Sequence, residues 1–302
     1  MSIKEETAID RILIIGGSGL LGGKIAGSAR QAFEVHATHN TRTIDSPCHA
    51  HQLDKCDRSS LMRLASKIRP QLIVDTAALH NVDYCEQNPD EAWKVNVQGT
   101  INVAEASKNV HARFFFISTD FVFDGCSERP YIEDDSPNPL QQYGKTKLEA
   151  ERAIMKLGTD ATILRTAVLY GEGPKARFLN WVLNALRQGK TVPAYSDQTN
   201  CPTMVDDLAR VIFALHLTDK TGLYHAVGRS CISRYEFARA IAKTFHLPEH
   251  LVIPVVSENA PQLAERPKKC CLSTEKLERD IKLQFTTIVE GLHRISSASS
   301  GV

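Results

Sequence analysis

Arg11-Ile12-Leu13-Ile14-Ile15-Gly16-Gly17-Ser18-Gly19-Leu20-Leu21-Gly22 is the stretch that decides how this chain folds. Its first five residues are a short, branched apolar run that stops at glycine, as a buried parallel strand does. Gly16, Gly19 and Gly22 then stand three apart, and helical sequence runs on from Lys24 to about Ala32. Such spacing supplies a tight turn, a backbone that pyrophosphate can approach, and close packing of helix on strand. The helix N-terminus would point at the phosphates. A glycine repeat alone is weak evidence, but between a strand and a helix it is a strong sign of a dinucleotide site. Gly16, Ser18, Gly19, Leu20, Leu21 and Gly22 are its expected contacts.

Outward from this turn, strands and helices alternate. Glu34 to Thr38 reads as the second strand, and its end is where a carboxylate would receive an NAD ribose. No Asp or Glu occurs between Val35 and Ile44; Thr38, His39 and Arg42 stand there instead. That pattern predicts NADPH as the preferred cofactor, with NADH as the alternative. Leu53-Asp54 closes a third strand, and Asp54 either meets the adenine or caps a turn. Leu61 to Ile68 is helical up to Pro70. Leu72 to Ala78 is a fourth strand running into Ala77, Ala78 and Leu79, small enough at its end to leave room for the cofactor. One long helix is expected from Pro89 through Trp93, Val97, Ile101 and Ala104; on it Asn96 is either a structural amide or a surface residue. Phe114 to Ile117 and Ala161 to Arg165 are further strands.

This alternation predicts an α/β protein with a Rossmann-type doubly wound parallel sheet and a smaller α/β substrate lobe. The dinucleotide-binding domain is expected over 10–170 plus about 195–228, and the lobe over about 171–194 and 229–295. Residues 1–9 and 296–302 read as flexible tails.

At the end of the Phe114 strand stands Ser118-Thr119-Asp120-Phe121-Val122-Phe123-Asp124-Gly125, and after a proline-bearing loop comes Tyr143-Gly144-Lys145-Thr146-Lys147. Pro137 and Pro139 delay the next helix to about Gln141. Tyr143 and Lys147 are then four apart and share a face. A phenol beside an ammonium, with a hydroxyl nearby, is an acid–base device: the cation is expected to lower the phenol's pKa, and Thr119 to polarise a substrate oxygen. The bland alternative, an amphipathic helix with surface Tyr and Lys, loses ground once the glycine turn is in the same chain.

With 302 residues, 42% hydrophobic and a net charge of +1, the chain can bury a large core and has no general attraction for nucleic acid or an anionic membrane. No apolar run approaches the ~20 residues needed to span a bilayer, and the polar, acidic start is neither a signal nor a transit peptide. A cytoplasmic protein is expected. Its eight scattered cysteines contain no Cys-x-x-Cys and read as free thiols. Cys48-His49-x-His51 with Cys56 matches no common zinc spacing, so no metal is expected.

These motifs resemble the extended short-chain dehydrogenase/reductase family, and within it the dTDP-4-dehydrorhamnose reductase branch. The likeness spans nearly the whole chain. It includes Val82-Asp83, Glu86, Pro89, Arg165-Thr166, Asp197-Gln198, Pro202-Thr203, Gly222-Leu223-Tyr224-His225 and Arg266-Pro267. It implies hydride transfer from NAD(P)H to C4 of a nucleotide-linked 4-keto-6-deoxysugar, in dTDP-L-rhamnose formation. Tyr143 would give the proton, Lys147 would grip the nicotinamide ribose, and Thr119, Asp120, Phe121 and Val168 would meet the sugar. The branch usually has Tyr at the position of Phe121 and Trp at that of Val168, so the sugar is left open. Tyr224-His225, Tyr235-Glu236, His246-Leu247-Pro248, Glu265-Arg266-Pro267 and Leu277-Glu278 are also similar to the non-catalytic regulatory beta subunit of methionine adenosyltransferase. That resemblance implies NADP binding and methionine adenosyltransferase as partner; the small, polar run from Ser296 to Val302 differs from that subunit's aromatic tail. An NDP-sugar epimerase or dehydratase is the weaker alternative, and a homodimer is compatible with all three.

Overall fold

The computed structural model describes residues 10–45, 47–259 and 262–299. The strands β1 (Arg11–Ile15), β2 (Glu34–His39), β3 (His49–Gln52), β4 (Leu72–Asp75), β5 (Arg113–Thr119) and β6 (Ala161–Thr166) join the strand Gly222–His225 in one parallel sheet. Its order is Gly222–His225, β6, β5, β4, β1, β2, β3. The chain enters at β1, winds out to β3, returns to β4 and winds out the other way. The reversal between β1 and β4 opens a crevice above their carboxyl ends, where such sheets bind ligands.

The continuous apolar run in β1 follows from burial on both faces. Ile12 and Ile14 pack with Leu21 and Ile25 of helix α1 (Leu20–Ala29) and with Leu208 and Ile212 of the helix Val205–Leu217. Leu13 and Ile15 point the other way, to Leu61 and Ala65 of helix α2 (Arg58–Ile68), with Val103 and Ile154 beyond. Helices α3 (Val82–Gln87), α4 (Pro89–Trp93), α5 (Gly99–Asn109) and α6 (Gln142–Leu157) complete the side that carries the motif residues. The helix expected to run unbroken from Pro89 is interrupted: Lys94–Gln98 forms a π-turn between α4 and α5.

A separate apolar cluster joins the helices Arg177–Arg187, Arg234–Thr244 and Ile288–Ser299 with the parallel strands Val192–Tyr195 and Val252–Val255. Leu20 packs against both this cluster and the sheet's core, so the first residue of α1 links the two. The last helix runs through Ser299, anchored by buried Ile295 and Leu292. Residues 296–299, expected in a flexible tail, are therefore helical, and 1–9 and 300–302 lie outside the described residues. No helix among the described residues is long and apolar enough to cross a membrane.

One thiol expectation is corrected. Cys231 and Cys271 form a disulfide, with Cα atoms 5.7 Å apart. They are 40 residues apart in sequence, but the strands beside them, Ile232–Ser233 and Lys269–Cys270, both pair with Thr199–Asn200. Tertiary pairing brings them together, which sequence spacing does not reveal.

Candidate active site

The glycine turn closes β1 onto α1. Gly16 has φ +89°, a conformation open to glycine and strained for other residues. A Cβ on Gly22 would stand 2.3 Å from the Gly16 carbonyl oxygen and 2.8 Å from Thr76 Oγ1, so only glycine lets the helix approach the strand end. Gly19 caps α1 without a side-chain bond, and no acidic residue stands in its first turn. The helix N-terminus is thus left for an anion.

Around this turn the expected cofactor residues fall into different roles. The Thr38 hydroxyl accepts the Gly16 N–H at 3.2 Å, and the Thr38 carbonyl accepts the Gly17 N–H, so buried Thr38 holds the turn to β2. His39 follows, and its Nδ1 is buried with no partner among the described residues. Arg42 is exposed in the loop beyond. Its charge, with those of Arg177 and Lys147, bears on His80, whose imidazole is pushed down first by desolvation and then by these cations. Asp54 spends one carboxylate oxygen on the Cys56 N–H at 2.9 Å, which is the turn role. These features fit a 2′-phosphorylated dinucleotide: an uncapped helix end, no carboxylate at the β2 exit, an arginine, and an orphaned imidazole nitrogen.

Ala77, Ala78 and Leu79 leave β4 along the same crevice and are held from below. Lys55 Nζ donates to Asp75 Oδ2 at 2.8 Å and to Thr100 Oγ1 at 3.1 Å, both buried, and to the part-buried Ala77 carbonyl at 2.6 Å. Asn96 is the structural amide of the two readings. It is fully buried, accepts the Leu79 N–H at 2.8 Å and donates to the Leu79 carbonyl and to Thr146 Oγ1. One side chain thus joins the segment after β4 to α6.

The catalytic candidates meet where β5 ends. Thr119, the last residue of β5, accepts the Phe121 N–H at 3.2 Å and donates to Asp120 Oδ1 at 3.1 Å. Gln141 caps α6 by accepting the Gly144 N–H at 2.7 Å, which starts the helix as Pro137 and Pro139 allow. Tyr143 then lies edge-on to Phe121, ring centroids 6.4 Å apart, within reach of Thr119. Lys147, one turn on and buried, sits 3.9 Å over the Phe116 ring. Ser118 belongs to a different network: its hydroxyl donates to Glu151, which pairs with Arg165 at 2.7 Å. Val168 packs on the second apolar cluster, and its carbonyl accepts the Thr203 N–H at 2.8 Å.

The electrostatics differ from the expectation in one respect. Burial pushes the Tyr143 phenol well up, and the neighbouring Asp120 adds to it, while Thr119 pulls it down by less. The phenol is therefore held in its acid form. Burial in turn lowers Lys147 to about 7, helped by the charge on Lys55. Buried Asp120 is pushed up to about 7 by desolvation, against the pull of Thr119, Arg234 and Asn200. Arg234 lies far along the sequence without a local pattern, so sequence reading missed it, as it missed Lys55.

From Phe121 the surface opens outward. Phe121, Asn200, Arg234 and Arg266 line a narrow recess, and Gln198 and Arg266 continue into a cleft of about 490 Å³ with Gly125, Gln262 and Lys268. Arg266 is held by Asp83, whose carboxylate it keeps below the usual range. Residues 183 apart in sequence thus brace one wall.

The chain matches the RmlD substrate binding domain over residues 10–300. It is 30% identical to the dTDP-4-dehydrorhamnose reductase of Aggregatibacter actinomycetemcomitans, across 91% of this chain and 94% of that protein. It is 34% identical to methionine adenosyltransferase 2 subunit beta of Mus musculus, across 91% of this chain and 84% of that one. The crystal structure of dTDP-4-dehydrorhamnose reductase from Bacillus anthracis in complex with NADP superposes with a TM-score of 0.87 at 29% identity, over 96% of this chain and 99% of that chain. By its glycine turn, its Thr119–Tyr143–Lys147 corner and the match along its length, the chain belongs to the RmlD substrate-binding domain family.

Proposed function

We propose that this chain is an NADPH-dependent reductase of a nucleotide-linked 4-keto-6-deoxysugar, of the dTDP-4-dehydrorhamnose reductase type. The observation that carries the reading is Tyr143, protonated by its burial and set beside Thr119 and Phe121 at the end of β5. A ketone reduction needs a proton donor there, and the phenol is held in the donating form. The chemistry that NADPH supplies when bound is a hydride for the ketone carbon. Gly16, Ser18, Gly19, Leu20, Leu21 and Gly22 would cradle its pyrophosphate. His39 and Arg42 would meet the adenosine end, and Ala77, Ala78 and Leu79 would floor the nicotinamide end. Lys147 would hold the nicotinamide ribose.

Tyr143 delivers the proton to the ketone oxygen, and Thr119, whose hydroxyl donates to Asp120 Oδ1 in the free chain, would turn it to the same atom. Asp120 and Phe121 bound the sugar, with Val168 behind. Arg234 and Arg266 give the recess a cationic lining suited to a nucleotide diphosphate, while the cleft beyond it sets Lys268 among Asp124, Glu258 and Glu265. We assign the cofactor to residues 10–170 with 195–228, and the sugar to a lobe of 171–194 and 229–295. A cytoplasmic homodimer is part of the same reading.

A second reading is favoured by the 34% identity to a methionine adenosyltransferase subunit: an NADP-binding regulatory protein whose turnover is incidental. One experiment separates them. NADPH oxidation is followed with a panel of nucleotide 4-ketosugars, alongside pull-down of a methionine adenosyltransferase. Turnover of a ketosugar supports the reductase; no turnover with tight capture of the transferase overturns it.

A further inference from the structure

We propose a zinc site on the outer edge of the sheet, built by Glu34 and His36 of β2 and His49 of β3, with His51 as the residue that orients His36. Strand register creates it. His36 lies opposite His49, and Thr38 opposite His51, so the alternating side chains of two parallel strands fall on one face. Glu34 Oε1 is 3.0 Å from His36 Nε2 and 3.9 Å from His49 Nε2, and one ligand atom from each residue lies within 4.8 Å of the others. Ligands about 2.0–2.2 Å from a tetrahedral zinc stand roughly 3.3–3.5 Å apart, so these spacings bracket the requirement.

His51 supplies the support that metal-bound histidines normally have. Its Nε2 lies 3.0 Å from His36 Nδ1. With the proton on His36 Nδ1 donated to His51, the His36 Nε2 lone pair faces Glu34 and His49. Without an ion the same chain of bonds runs the other way: His51 Nε2–H to His36 Nδ1, and His36 Nε2–H to Glu34. Binding zinc thus moves a proton from one nitrogen to the other within each of His36 and His51, and none is lost overall.

The rings of His36 and His49 are stacked, centroids 4.7 Å apart at 24°. Coordination needs His49 to tilt out of that stack, and its side chain, 64% exposed, has the room and gives the ion its way in. Two histidines and a carboxylate leave a fourth position for water. The neighbouring cysteines take no part: Cys48 packs on the core and Cys56 Sγ faces the Lys94 carbonyl.

The test uses the full, untagged chain stripped of metal. Zn²⁺ is titrated by calorimetry, and Co²⁺ by its visible d–d absorption. Wild type should bind one ion and show the intense bands of a four-coordinate site. His49→Ala, an exposed substitution, should weaken binding by at least about tenfold, and His51→Phe by about 10–100-fold through loss of the orienting bond. Cys56→Ser should change nothing. No saturable binding by wild type at millimolar Zn²⁺, or binding undiminished in folded Glu34→Gln/His49→Ala, would overturn the proposal.

Discussion

The carbonyl oxygen of Phe121 occupies the place of any side chain at Gly144: a Cβ built there stands only 2.1 Å away. The first turn of α6 therefore lies directly on the turn after β5, and that contact sets Tyr143 against Thr119. Gly144→Ala must push the helix off. Overpacking of this kind costs about 1–3 kcal/mol, and a shift near 1 Å at a reacting group costs about 100-fold in rate. Denaturant unfolding should show the first loss and kcat/KM the second. Wild-type activity in Gly144→Ala would mean that the helix position does not matter.

Tyr143→Phe keeps the ring against Phe121 and removes the proton. Ketosugar reduction should fall by roughly 10²–10⁴-fold while the Kd for NADPH stays near wild type. Lys147→Ala should harm both quantities. Reduction by Tyr143→Phe at the wild-type rate would remove the phenol from the mechanism.

Cofactor choice rests on the β2 exit. A charge-assisted bond from Arg42 to a 2′-phosphate is worth about 1.5–3 kcal/mol, so Arg42→Ala should narrow the preference for NADPH over NADH by about tenfold or more. Dissociation constants for both cofactors in both proteins decide it. An unchanged ratio would take Arg42 out of the site.

Asp120 should leave a signature in stability. Its folded pKa, about 7, lies above the ordinary 3.8. Between those values the folded state holds a proton the unfolded state has released, so stability is fully present below about pH 4 and drains away up to about 7. The slope for one such group is at most about 1.4 kcal/mol per pH unit. Asp120→Asn lacks it, so the variant should gain on wild type as pH rises from 5 to 7. A constant difference in unfolding free energy across that range would show that Asp120 titrates normally.

What could be read in the sequence was local. The branched run of β1, the three-residue glycine spacing and the four-residue spacing of Tyr143 and Lys147 each report a geometry set within a few residues. Asn96 was legible as one of two alternatives because its helix was, though not its partners Leu79 and Thr146. What escaped depends on register and return. Lys55 meets Asp75 and Thr100 only once three elements have packed, and Arg234 acts on Asp120 from a helix of the second apolar cluster. Cys231 meets Cys271 across a shared strand. The phenol's direction of shift escaped for the same reason, since burial and Asp120 raise it by more than Thr119 lowers it, and neither follows from spacing.

The π-turn at Lys94–Gln98 has a consequence for chain length. It adds a residue to one turn, and so Asn96 can face Leu79 and Thr146 while Thr100 and Asn102 face Lys55. Deleting one residue between 94 and 98 would restore regular helix but rotate one of these groups by about 100° away from its partners. Insertions and deletions accumulate where backbone is exposed and unconstrained; here the count of residues is itself fixed, so homologous chains that keep both contacts should align through this turn without a gap.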